Sequence, residues 1–590
     1  MIADFLVRAG VPYVVGLCGH GDIGLLDALL DRRDQIPFIS VQHEAAAGFI
    51  ADAYYRVVRR PLATLTSCGP GSAQILVALG TALMDSSAML AITGNVPTSQ
   101  FGRAPFQELG RHFQADFPGA AGPFVKRSFH ASRADQLPLM LRQAYTTAVS
   151  GRPGPVNLDV PLNVFAEPAG SPVPGLAETE TETPRRSAAA RQDLDAAVEL
   201  LLGAARPVIV VGAGAADGGD PGTVARDLAA LATETGIPVA SSPAGKDLAP
   251  AGTLGPTGRN GTYPANQATR DADVILAIGT RFDDRSTSSW IPGYTYSIPP
   301  ARLIHVHGDP GEIGRNYPAE IAIAATPAEV LIQLTGAMRT ARARGDERAR
   351  PEHRRAWLAE VANWRSQWES HNTFGRNLDA SPLRPERVLT ELSGALPEGG
   401  ILLADVGVHH NWIVQHWRPS GPGTLLQSWG YAAMGFGVAG ALGARLAAPD
   451  RPVVAVVGDG GFLMLPSVVA TAVAYDLPVV WLVWNNGGFV SIREQQLGYF
   501  GREYATLFTH AKTGEPYRCD FAAMARAMGA EGLRAEVPAD LGVALKTALD
   551  CGRPAVIDVP VDADTPQPAV GTWELPPLPH PEPTFPKECR

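Results

Sequence analysis

Short apolar runs, rich in β-branched residues and closed by Gly, Asn or Asp, alternate along this chain with longer stretches whose apolar positions recur three and four residues apart. The runs read as strands buried on both faces, and the stretches between them as helices. Tyr13–Gly16, Phe38–Val41, Ala63–Thr66 and Met89–Thr93 carry the strand signature in the first part of the chain. Pro207–Val211, Val274–Ile278 and Leu303–Val306 carry it in the middle, and Ile401–Ala404, Val453–Val457 and Val479–Val483 in the last part. Strands alternating with helices predict an α/β protein of three doubly wound parallel-sheet domains. The expected domains are residues 1–165, 188–340 and 385–564. A Pro/Glu/Thr-rich stretch from Glu167 to Thr183 reads as a linker, residues 341–384 as a helical connector, and residues 565–590 as a proline-rich tail.

A run dominated by arginine, from Arg339 to Arg355, reads as a solvated helical surface rather than a nucleic-acid patch. Trp357, Trp364 and Trp368 follow it at helical spacing and are expected to face a core. Of 590 residues, 45% are hydrophobic and 18% charged, and 49 basic against 59 acidic side chains give a net charge of −10. Such a chain can bury several cores, and it lacks the basic excess of a dedicated nucleic-acid binder. No uncharged apolar run reaches the ~18 residues of a membrane span, and Met1–Arg8 has no basic segment ahead of an apolar one. The cysteines (Cys18, Cys68, Cys519, Cys551, Cys589) are odd in number and never spaced C-x-x-C, which disfavours a disulfide framework or a zinc knuckle. A cytoplasmic protein with no membrane or nucleic-acid partner is expected. The 62 glycines and 51 prolines, about a fifth of the chain, become informative only by position.

The most telling position is Pro452–Gly461. An all-apolar strand ends at Gly458-Asp459-Gly460-Gly461, and a helical pattern follows. Glycines there let the backbone approach phosphate oxygens, and the helix start favours the anion. A second buried strand, Leu477–Trp484, ends at Asn485-Asn486-Gly487-Gly488. One helix and a neighbouring parallel strand fit between Asp459 and Asn486, so both side chains can meet above adjacent strand ends. Mg²⁺ prefers a few such oxygen ligands together with phosphate oxygens.

This pair of strand ends resembles the motif of the thiamin-diphosphate (ThDP) enzymes. The resemblance implies that Asp459, Asn486 and the Gly488 carbonyl hold Mg²⁺ against the diphosphate. It also implies a glutamate that hydrogen-bonds the aminopyrimidine ring and promotes proton loss from the thiazolium carbon. Val41-Gln-His-Glu44, leading into a small-residue helix, is similar to that segment, so Glu44 is the expected activator. In the family the first domain of one subunit faces the third of another, which implies a homodimer or homotetramer with sites between subunits. The domains are then pyrimidine-binding, central and diphosphate-binding.

Within the family the chain is most similar to acetolactate (acetohydroxyacid) synthase and its pyruvate-oxidase-type relatives. Thr66–Ser72 resembles the Ser-Gly-Pro-Gly loop, placing Gly69 at the cofactor, and Ala104–Glu108 resembles a segment near the substrate, placing Gln107 there. Ala433–Gly437 matches the segment whose methionine, here Met434, supports the bent cofactor. Val406–His409 aligns with a Gln-His pair on the diphosphate, with His409 kept and Val408 in place of Gln. Gly258–Asn266 and Ala277–Arg285 resemble the FAD-contacting part of acetolactate synthase, which implies FAD contacts at Arg281 and Asp283. Gly212 and Gly214 after a strand add a weaker flavin-turn signal.

Two departures bear on the reaction. Gly16-Leu-Cys-Gly-His20-Gly corresponds to a stretch where acetolactate synthase has Pro-Gly-Gly, and His20 stands where several ThDP decarboxylases, lyases and a cyclic-dione hydrolase place a polar catalytic group. The tryptophan that selects the acceptor keto acid is absent, and Gln495 falls near its place. The resemblance therefore implies a carboligase that decarboxylates a 2-keto acid and joins the product to a second carbonyl. The alternative is a 2-keto-acid decarboxylase, C–C lyase or cyclic-dione hydrolase using His20 as acid/base. A cofactor-binding but idle partner subunit is a third reading, disfavoured by the intact Glu44, Asp459 and Asn486.

Overall fold

The computed structural model describes residues 1–108, 116–168, 186–371 and 376–566. The Pro/Glu/Thr-rich linker and the tail lie mostly outside the described residues. Among the described residues, seventeen strands form three sheets. The first holds β1 (Val14–Gly16), β2 (Phe38–Ser40), β3 (Ala63–Thr66), β4 (Met89–Asn95), β5 (Ser128–His130) and β6 (Pro155–Pro161). The second holds β7 (Pro207–Val211), β8 (Val239–Ser241), β9 (Val274–Ile278), β10 (Arg302–His307) and β11 (Ile321–Ala324). The third holds β12 (Ile401–Ala404), β13 (Leu425–Gln427), β14 (Val453–Gly458), β15 (Val480–Asn485), β16 (Glu531–Arg534) and β17 (Ala555–Pro560). Every pairing within the sheets is parallel, with helices between the strands.

The strand orders are β2-β1-β3-β4-β6-β5, β11-β10-β9-β7-β8 and β13-β12-β14-β15-β17-β16. The first and third sheets thus share one topology, strand for strand, a repeat without visible sequence similarity. The likeness extends to buried polar pairs. Asp159 on β6 accepts from Asn95 at the end of β4 (2.8 Å) and meets His130 on β5 (2.8 Å). Asp558 on β17 accepts from Asn485 at the end of β15 (2.8 Å) and from Arg534 on β16 (2.9 Å). Each trio lies at equivalent register, with His130 opposite Asp159 and Arg534 opposite Asp558.

The first and third domains meet through helices Glu44–Val58 and Phe436–Ala447. Alanines and glycines line the contact, so the backbones nearly touch: a Cβ on Gly443 would lie 2.1 Å from the Ile50 carbonyl, and one on Gly440 3.1 Å from Ala53. Arg56 lies 4.7 Å over the Phe436 ring. Phe436 beside Arg56, Gly440 beside Ala53 and Gly443 beside Ile50 make the pair antiparallel. Trp357, Trp364 and Trp368 are buried as expected, on helix Arg355–His371. The charged run is not wholly solvated: Arg354 is buried and donates to the carbonyls of Leu201 (2.8 Å) and Thr235 (3.1 Å). Among the described residues, no helix is long and apolar enough to cross a membrane.

Candidate active site

In each sheet the chain leaves one strand for its neighbour on one side and returns on the other. The crevice above the carboxyl ends at that reversal is where α/β proteins seat ligands. In the third sheet the reversal lies between β12 and β14. Asp459 directly follows β14; its Oδ1 accepts from the Gly460 N–H (2.7 Å), and its Oδ2 from those of Gly487 (2.7 Å) and Gly488 (3.1 Å). These bonds join the ends of β14 and β15, which pair directly, so Asp459 and Asn486 are brought together. Burial raises the Asp459 pKa to about 6.

The cradle is built by missing side chains. A Cβ on Gly461 would lie 2.3 Å from Asp405 Oδ2, one on Gly460 2.5 Å from Phe489, and one on Gly458 3.2 Å from His409. His409 is buried, its Nε2 has no partner, and burial lowers its pKa to about 3. Met434 is half-buried and precedes Gly435, whose N–H donates to Asp405 Oδ1 (3.0 Å) and Oδ2 (3.1 Å). Sequence reasoning missed Asp405, although it follows the all-apolar β12 just as Asp459 follows β14. It fixes the Met434–Gly437 turn, also accepting from Gly437 (3.2 Å).

The first-domain residues gather at the equivalent reversal, between β1 and β3. Glu44 opens helix Glu44–Val58 and is buried; Oε1 lies 3.1 Å from where a Cβ on Gly71 would sit, and Oε2 has no partner. Burial lifts its pKa above the ordinary value. Gly69, at φ +60°, lets the backbone of Gln107 come so close that a Cβ would strike the Gln107 carbonyl. The Gln107 side chain itself is exposed. His20 lies on the exposed loop after β1, with Nε2 3.4 Å from the buried Cys68 Sγ. That loop rests on Ser67, whose Oγ accepts from Gly21 (3.1 Å), and is pinned by buried Asp22, whose Oδ1 accepts from Gly19 (2.9 Å). Cys68 and Asp22 were not singled out from sequence; neither carries a motif by itself.

In the central sheet the reversal lies between β7 and β9. Gly214, Arg281 and Asp283 border a cavity of about 260 Å³ there, closed on its other sides by the first and third domains. Gly212 contacts the backbone of Gly279 and Thr280 instead of lining it.

One chain does not join the first and third halves. Phe436 and Gly435 lie at the Arg56 end of the antiparallel helix pair, whereas Glu44 lies at the other end of a helix of 15 residues, ~22 Å long. The segment before Glu44 touches Thr471 and Tyr475 of the third domain, not Asp459.

Comparison with known proteins gives three family matches in chain order. Residues 1–115 match the N-terminal TPP-binding domain of thiamine pyrophosphate enzymes, 194–334 their central domain, and 405–559 their C-terminal TPP-binding domain. The "Probable acetolactate synthase large subunit" of Methanocaldococcus jannaschii is 30% identical over 582 residues, covering 95% of this chain and 92% of its own. The "Acetolactate synthase large subunit" of Parasynechococcus marenigrum is 33% identical over 584 residues, covering 95% and 86%. The "Acetolactate synthase catalytic subunit, mitochondrial" of Saccharomyces cerevisiae is 28% identical over 580 residues, covering 95% and 80%. Three parallel sheets, two glycine-built strand-end sites and end-to-end similarity agree: the chain belongs to the thiamine pyrophosphate enzymes.

Proposed function

We propose that this chain decarboxylates a 2-keto acid of the pyruvate class and joins the remaining fragment to a second carbonyl, as an acetolactate-synthase-like carboligase. The observation that carries the reading is a pair of residue sets, one suited to each end of ThDP. Glu44, buried with an unpartnered Oε2, suits the pyrimidine end. The glycine cradle around Asp459 suits the diphosphate. ThDP, when bound, supplies the electron sink for decarboxylation.

The remaining work falls to the protein. Burial favours a proton on the Glu44 carboxyl, which can share it with a ring nitrogen. His409, neutral through burial, offers Nε2 to a phosphate oxygen. The carboxylate of Asp459, the amide oxygen of Asn486 and the carbonyl of Gly488 form an all-oxygen set suited to Mg²⁺. Because Glu44 and Asp459 stand at opposite ends of the helix pair, a complete site takes Glu44 from one chain and Asp459 from a second. We read the protein as a homodimer or homotetramer, and as cytoplasmic. We assign His20 and Gln107, on loops near Glu44, to the substrate, with His20 moving a proton to or from the acceptor carbonyl. The exposed His20 imidazole paired with Cys68 supports the second reading, in which His20 directs protonation or C–C cleavage instead of ligation.

Protein supplied with ThDP and Mg²⁺ is expected to consume pyruvate or a larger 2-keto acid and release a condensation product identifiable by mass. Aldehyde as sole product would favour the second reading. Inertness toward a panel of 2-keto acids and diketones would refute both.

A further inference from the structure

The segments that resemble the family's flavin contacts are turned against each other. Gly258 sits so close to the second segment that a Cβ would lie 2.0 Å from the Arg285 carbonyl. Asn266 occupies both polar groups of Gly258, accepting from its N–H (2.8 Å) and donating to its carbonyl (2.9 Å). Arg259 is buried and donates to Asp284 (3.0 Å) and Ser289 (2.9 Å). Arg285 is half-buried: it donates to Asn411 (2.6 Å) and Asn260 (2.9 Å), and its guanidinium lies 4.5 Å over the ring of Trp429. His410 packs edge-on against the same ring at 4.8 Å. An aromatic ring and a guanidinium of the chain itself therefore fill this junction between the central and third domains.

The cavity bordered by Gly214, Arg281 and Asp283, about 260 Å³, falls below the ~300 Å³ at which sites for drug-sized ligands begin. FAD, an adenosine joined through a diphosphate to a three-ring flavin, is larger than that class. The charge is also unfavourable. Asp85, Asp217, Asp220, Asp247 and Asp283 outnumber three arginines on the rim. Each arginine is already engaged: Arg56 by Asp52 and Asp85, Arg59 by Asp217, Arg281 by the Met84 carbonyl.

We propose that this chain works without a flavin, and that Arg285 is a positioning residue tying the central domain to the diphosphate site. Its partner Asn411 lies on helix Val408–His416, whose second residue, His409, packs against Gly458. Arg285 holds that helix in place through Asn411 and Trp429. The Arg285 role rests on the reading of the third-domain site as a diphosphate site; the flavin statement does not.

Full-length protein produced in riboflavin-replete cells should show no flavin absorption band and release no flavin on acid denaturation. Added FAD should leave both turnover and melting temperature unchanged. Stoichiometric flavin, or a rise in melting temperature with FAD, would overturn the first statement. For the second, Arg285→Ala should weaken ThDP binding, measured by calorimetry, by about tenfold, the scale of lost outer-sphere support. Arg285→Lys should recover part of the affinity, and the circular dichroism of both should match wild type. If Arg285→Ala misfolds, Asn411→Leu should weaken ThDP binding in the same direction. Unchanged affinity in the folded variants would overturn the positioning role. A wild-type chain that binds no ThDP would overturn the site reading and the Arg285 role with it, leaving the flavin result to stand on its own.

Discussion

The proposed chemistry of the first domain rests on one carboxyl group, that of Glu44. It lies at a helix start, where a negative charge is ordinarily welcome, yet burial raises its pKa and leaves Oε2 without a partner. A carboxyl kept so for structural reasons alone would be costly. Glu44→Gln keeps the shape and an N–H donor but cannot exchange a proton. Turnover is expected to fall by roughly 10²–10⁴-fold, the usual weight of positioned proton transfer, with ThDP affinity and melting temperature nearly unchanged. Steady-state kinetics with a calorimetric binding check would decide it, and full turnover would remove Glu44 from the reaction. The positions of Asp459 and Asn486 at neighbouring strand ends and of Glu44 at a helix start were legible because each follows a strand signal with a local pattern of glycine or alanine. Asp405 was not, because the glycines it holds, Gly435 and Gly437, lie on another loop that only folding brings to it.

At the scale of elements, most apolar runs were legible as strands, whereas β6 and β17, interrupted by buried polar residues, were not, nor were the short β5, β8, β11, β13 and β16. β6 reads Pro-Val-Asn-Leu-Asp-Val-Pro, with a proline at each end and two polar residues inside. Its polar groups are satisfied across the sheet, where Asp159 accepts from Thr93 (3.0 Å) and Asn95. β17 hides Asp558 in the same way. Such pairs are invisible until the neighbouring strand is known.

The loop after β8 carries a further buried group. Lys246 is buried, and its ammonium donates to the carbonyls of Ile413 (3.1 Å) and Val414 (2.6 Å), near the end of helix Val408–His416. Burial depresses its pKa to about 7, against ~10.4 in the unfolded chain. Between those values the unfolded state holds a proton that the folded state has shed, so stability gained from this residue rises with pH. Compared with Lys246→Met, the wild type should gain about 1.4 kcal/mol per pH unit above pH 7 in unfolding free energy. Denaturant midpoints at pH 7, 8 and 9 measure this. Parallel curves for the two proteins would contradict it.

The whole molecule repeats one solution. Three parallel sheets each gather candidate residues or a cavity at the strand-order reversal: His20, Cys68 and Gly69 in the first, the cavity beside Gly214 and Arg281 in the second, Asp405 and Asp459 in the third. The first and third sheets are duplicates down to their Asn–Asp pairs, and their domains cross through helices Glu44–Val58 and Phe436–Ala447. The antiparallel crossing sets Glu44 and the Asp459 end of the third domain at opposite ends of the helix pair. Three α/β units were legible from periodicity; the duplication and the crossing were not, because both arise from contacts between distant segments. Subunit mixing decides whether each active site is completed by two copies of the chain. Glu44→Gln and Asp459→Ala chains, each inactive alone, would be co-expressed and assayed with ThDP, Mg²⁺ and a 2-keto acid. In a twofold-symmetric assembly a mixed pair keeps one intact site, so random mixing should restore about a quarter of wild-type turnover. Turnover no higher than that of either variant alone would show that Glu44 and Asp459 do not meet across two copies of the chain.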